Sequence, residues 1–124
     1  MLHDATAFYT SWPATMNATK ARAPEIGKAF SGMFQALMKD GEEGGQGGLS
    51  VKYKELIALG IGVASRCEPC IYAHVEKCLK SGASSKEIME AAGVAVMMGG
   101  GPVYTYTPVV AAALDHFERA AASA

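Results

Sequence analysis

The segment "VKYKELIALGIGVASRCEPCIYAHVEKCLKS", Val51 to Ser81, reads as two helices joined by a short turn. Ser50 stands at a favoured N-cap position, and Leu56, Ile57, Ile61 and Ala64 mark the expected buried face of the first helix. The second helix starts near Glu68, tolerates Pro69 in its first turn and stops at Gly82.

The same pattern continues on both sides. A short helix is expected within Asp4 to Met16, and an amphipathic one from Pro24 to about Met38 with Ile26, Phe30, Met33, Phe34 and Leu37 on its apolar stripe. "KDGEEGGQGG", Lys39 to Gly48, favours a flexible surface loop. Downstream, Ser84 and Glu87 of "SSKE" offer a capping box for a helix through Val94 and Met97, which "GGGP", Gly99 to Pro102, should break. A last helix runs from about Pro102 or Tyr104 to Ala122, with Pro108 delaying or kinking its start. No strand alternation appears, so the expected fold class is all-α, a bundle of about six helices.

A chain of 124 residues is the size of one domain, 1–124, able to bury roughly two thirds of its unfolded surface. Half of its residues are apolar and its net charge is -1, which points away from disorder and from a nucleic-acid surface. The N-terminal "MLHDATAFYTSWP" lacks the basic start and apolar run of a signal or transit peptide, and no stretch approaches the ~20 apolar residues of a membrane span. A cytoplasmic protein with no membrane partner is expected. In that reducing compartment a close cysteine pair is more often catalytic or metal-binding than structural. Two glycine-rich stretches do not make phosphate sites: "GEEGGQGGLS" lacks the Lys-Ser/Thr pair of a P-loop, and "GIGVAS" lies inside a helical pattern, where glycine favours close packing.

All three cysteines and one of the three histidines fall within "RCEPCIYAHVEKC", Arg66 to Cys78. Cys67, Cys70 and His74 sit at i, i+3 and i+7, along one helix face. At a helix start, free backbone N–H groups and the dipole favour a thiolate, and the two-residue spacer permits a disulfide, so the pair can cycle between dithiol and disulfide. His74 can take the thiol proton, and Glu55 on the preceding helix is a candidate to orient the imidazole. Two other readings remain: a patch of ordinary helix core, and a zinc site. Zinc would need Cys78, which lies two turns beyond Cys70, roughly 12 Å along the axis, too far to share one ion. Cys78 therefore reads as a buried small residue. A thioredoxin fold would require βαβ units that the pattern lacks.

From Lys52 to Ser84, and on through "KEIMEAAGVAVMMGGGP", the chain resembles the AhpD-like alkylhydroperoxidases within the carboxymuconolactone decarboxylase family. The match rests on a helix-start Cys-x-x-Cys, a histidine four residues after it and a glutamate twelve residues before it. The resemblance implies an all-α fold assembling into homotrimers or homohexamers, and reduction of organic hydroperoxides without metal, haem or flavin. It implies Cys70 as the peroxidatic cysteine, Cys67 as the resolving one, His74 and Glu55 as the proton relay, and a dithiol electron donor such as a lipoylated protein. Pro69 stands where the best-known peroxidases carry a histidine, which leaves open a second relay step to Cys67 and the identity of the reductant. Two alternatives stand beside this reading: a decarboxylase-type lyase, against which the paired cysteines argue, and a non-enzymatic helical oligomer that senses redox state.

Overall fold

In a computed structural model, residues 4–41 and 47–123 are described, and every regular element among them is a helix. The centre of the expected Lys39–Gly48 loop, residues 42–46, lies outside the described residues. Six helices of 13 to 18 residues are present: α1 Ala5–Arg22, α2 Pro24–Leu37, α3 Val51–Ala64, α4 Glu68–Lys80, α5 Ser85–Gly99 and, past a single-turn α6 Gly101–Tyr104, α7 Thr107–Ala122. The all-α expectation is met.

Local chemistry accounts for most of the boundaries. Asp4 caps α1 by accepting from the Ala7 N–H, and the helix continues past the expected stop at Met16, through Pro13, to Arg22. Its hydroxyls are satisfied within the helix, since Thr10, Ser11, Thr15 and Thr19 each donate to the carbonyl four residues back. The break comes at Ala23, which precedes Pro24 and is held out of the helical region at φ -144°. Ser50 caps α3 as expected, and Lys54 reaches back to the carbonyls of Leu37 and Lys39, satisfying acceptors at the end of α2. Ser84 and Glu87 form the complete capping box of α5. Pro108 falls in the first turn of α7, where its missing N–H costs nothing, so it fixes the start rather than kinking the helix.

The core lies where α3, α4, α5 and α7 meet, built on Leu59, Val63, Ile71, Val75, Ile88, Ala92, Val109 and Val110. Helix α1 lies against α4 and α7 through rings: Phe8 stacks on Tyr72 at 4.7 Å, and the Tyr9 hydroxyl donates to the Tyr72 carbonyl. One expectation fails. Of the positions assigned to the buried face of α3, Ile57 and Ile61 are half exposed or more, Ala64 is exposed, and Leu56 is half-buried. The face that enters the core carries Glu55, Leu59, Gly62 and Val63. Both faces of this helix are apolar, and the core side is the one bearing the acid.

Candidate active site

The turn from α3 to α4 places the cysteines. The Arg66 N–H donates to the Val63 carbonyl and the Cys67 N–H to the Gly62 carbonyl, both at 3.0 Å, with Arg66 at φ 54°. This is the paired bonding of a Schellman C-terminus, with an arginine in the left-handed position that glycine usually takes. The chain reverses at once, and Cys67 becomes the N-cap of α4, its Sγ accepting from the Cys70 N–H at 3.3 Å. Cys67 and Cys70 are joined in a disulfide, with Cα atoms 5.2 Å apart. Pro69 sits between them in the first turn, where no hydrogen bond is lost.

Helices α3 and α4 pack closely here because Gly62 has no side chain. A Cβ at Gly62 would stand 3.2 Å from the Cβ of Cys70. One further turn along α4, His74 meets Glu55. The His74 Nδ1 and a Glu55 carboxylate oxygen are 2.6 Å apart, and Glu55 is only 3% exposed. Among the described residues it is the one buried charged side chain, and burial of a carboxylate is tolerated only with a partner of this kind. A carboxylate only accepts, so Nδ1 carries the hydrogen and Nε2 is left for chemistry.

Cys70 and His74 from α4 line one pocket of about 270 Å³ with Ala58, Ile61 and Gly62 of α3 and Ser65 at its C-cap. The sequence-derived set thus comes together: Cys67 and Cys70 as a disulfide, His74 beside Cys70 on the pocket wall, and Glu55 behind His74. Cys78, read as packing, is indeed fully buried; burial, with the nearby Glu55 charge adding to it, pushes its thiol up to about 12. It stays protonated at any physiological pH. No group of three or more His, Cys, Asp or Glu among the described residues is placed to hold a metal ion. Sequence reasoning missed Arg66, whose left-handed backbone has no signature in its residue type, and the pocket-lining role of Ile61.

Residues 24–118 match the profile of the carboxymuconolactone decarboxylase family. The chain belongs to that family. The matched span takes in α2 to the last turns of α7, with every residue of the site, and leaves α1 outside. Among solved structures of the family, one from Legionella pneumophila, in its apo form, is 35% identical, covers 93% of this chain and 95% of that one, and superposes with a TM-score of 0.75. A Thermotoga maritima carboxymuconolactone decarboxylase family protein is 29% identical, covers 80% and 96%, and gives a TM-score of 0.70. An uncharacterised protein of the cox locus of Paracoccus denitrificans is 30% identical over 107 residues, 86% of this chain and 91% of that one.

Proposed function

We propose that this carboxymuconolactone decarboxylase family chain is a dithiol peroxidase that reduces organic hydroperoxides through Cys67 and Cys70, with no bound cofactor. The observation that carries the reading is the buried Glu55 bonded to His74 on the wall of a pocket that also holds Cys70 of the Cys67–Cys70 disulfide. It is the arrangement of an activated nucleophile: thiol, base, and a third group orienting the base. For the Thermotoga maritima relative a part in the antioxidative response has been suggested, which agrees with this chemistry.

In the reduced protein His74 takes the proton of the Cys70 thiol, and the thiolate attacks one peroxide oxygen of ROOH. The O–O bond breaks, Cys70 becomes a sulfenic acid, and RO⁻ leaves as ROH with the proton returned by His74. The Cys67 thiol then displaces hydroxide from the sulfenic sulfur, giving water and the disulfide. A dithiol donor, for which a lipoylated protein is the expected class, exchanges twice and leaves oxidised. The net reaction is ROOH plus a dithiol giving ROH, water and a disulfide. Glu55 holds the imidazole and offsets its positive charge while the proton is on it.

Turnover decides. An added dithiol should be oxidised in a peroxide-dependent way by the wild type and not by Cys70→Ser, whereas unchanged turnover in that variant would overturn the reading. Cys67→Ser should stop at a sulfenic acid that a dimedone probe captures. Turnover of a carboxylated lactone that survives loss of both cysteines would instead assign the decarboxylase-type lyase. A reversible disulfide that alters association without any turnover would assign a redox sensor.

A further inference from the structure

The two halves of the Cys67–Cys70 disulfide stand in different surroundings. Cys70 lines the pocket of about 270 Å³ between α3 and α4, and Cys67 does not. A second cavity, of about 310 Å³, opens beyond the intervening Glu68 and Pro69 and beside Phe8 and Tyr72, and neither cysteine lines that one. The wall that carries Cys70 also carries His74, whose Nε2 is left for chemistry by the bond from Nδ1 to Glu55.

Cys67 is held in another way. It is the N-cap of α4, and its Sγ accepts from the Cys70 N–H at 3.3 Å. A sulfur in that place meets the positive end of a 13-residue helix and takes up one of the N–H donors that the helix itself leaves unpaired. Both effects strengthen as the sulfur gains negative charge, so they favour a thiolate there. In thiol–disulfide exchange the sulfur attacked and the sulfur released are different atoms, and the more acidic one leaves faster. Cys70 is open to a pocket beside a base, and Cys67 is the sulfur equipped to leave.

We propose that the reducing dithiol attacks the disulfide at the Cys70 sulfur, from the same pocket that admits the peroxide, and that Cys67 departs as a thiolate held by the start of α4. The inference rests on the redox role given above to the Cys67–Cys70 pair. A donor thiol yields its proton to His74 as its sulfur bonds to the Cys70 Sγ, and the bond between the two cysteine sulfurs breaks with its electron pair on Cys67. The second donor thiol then attacks the first donor sulfur, its proton passing to the Cys67 thiolate. The donor leaves as a disulfide, and Cys70 is released as a thiolate that recovers the proton from His74. Two electrons and two protons pass from donor to protein. Pro69 has no proton to move, and none is required between the cysteines.

The sulfur attacked can be read directly. Oxidised wild type is mixed with excess 2-mercaptoethanol and no peroxide, then quenched and alkylated with N-ethylmaleimide at acid pH, where exchange is slow. Trypsin releases both cysteines in one fragment, Cys67 to Lys77, whose fragment-ion masses locate each label. At early times mercaptoethanol on Cys70 with maleimide on Cys67 should exceed the opposite placement severalfold. The opposite placement in excess, or equal amounts of the two, would overturn the proposal. The cap is tested separately in Cys70→Ser, where the Cys67 thiolate is followed by its ultraviolet absorbance and Cys78 is buried. Cys67 should titrate below the range of an exposed thiol, and adding His74→Gln should leave that value in place. A Cys67 that titrates as an exposed thiol, or one whose titration moves with His74, would overturn the part given to the cap. No peroxide enters either measurement, so failure of the peroxidase reading would leave both results unchanged, and failure here would leave that reading standing.

Discussion

Glu55 is a carboxylate withdrawn from water and given one strong partner, the His74 Nδ1. Leaving a buried ionised group unpaired costs several kcal/mol, so the pair stands or falls together. Glu55→Gln keeps the shape while removing the charge that faces the imidazole. The rate of peroxide-driven disulfide formation, followed by stopped flow, should fall roughly 10²-fold, within the range of general acid–base contributions. Arg66 offers a separate test at the same scale. A non-glycine residue in the left-handed region costs about 1–2 kcal/mol, and glycine loses about 0.5–1 kcal/mol through its more flexible unfolded chain. Arg66→Gly should therefore raise the urea unfolding free energy by up to about 1 kcal/mol, while Arg66→Val should lower it. The chemistry of these positions was legible to different degrees. Cysteine spacing and a histidine on the same helix face can be read along one helix. The Glu55 contact crosses between helices, so spacing alone proposed it and the family resemblance strengthened it. The strain at Arg66 depends on backbone geometry that an arginine does not announce.

At the scale of elements, the helices were legible where their ends carry chemistry. Ser50, the Ser84–Glu87 box, Gly82 and Pro108 each stop or start a helix by a named bond or a missing donor, and the structure keeps all four. Ser84→Ala should cost about 1 kcal/mol in thermal or urea unfolding, the usual worth of such a cap. The orientation of α3 was not legible, for a physical reason. Its sequence is apolar on two sides, and an amphipathic reading places the charged Glu55 toward solvent and Ile57 and Ile61 inside. The pairing with His74 reverses that choice and leaves the isoleucines on the outer surface. Close approach of α3 to α4 depends on Gly62: Gly62→Ala puts a methyl group 3.2 Å from the Cys70 Cβ, and the helices must part by a few tenths of an ångström. Alkylation of reduced Cys70 should change in rate in that variant while helix content is retained.

For the whole molecule, buried titrating groups set an alkaline limit. The Cys78 thiol is raised from its ordinary 9.0 to about 12 by burial and by Glu55, and the Tyr72 hydroxyl from 10.0 to about 12 by burial and then by Glu68. Protons held more tightly in the folded chain add stability that is complete below the unfolded values and disappears as pH climbs to the folded ones. Stability should fall as pH rises between 9.0 and about 12, and Cys78→Ala should flatten part of that fall, measured as the urea midpoint against pH. The all-α bundle was legible from periodicity, whereas the apolar surface left outside, Ile57 and Ile61 among it, was set only by which faces the helices bury against one another. The account rests most heavily on the claim that the Glu55–His74 pair drives peroxide chemistry at Cys70. It is tested most directly by mixing fully reduced protein with an organic hydroperoxide and timing the appearance of the Cys67–Cys70 disulfide in the wild type and in His74→Gln. The account predicts stoichiometric disulfide in the wild type and formation slower by roughly 10²-fold in the variant. Equal rates in the two proteins would contradict it.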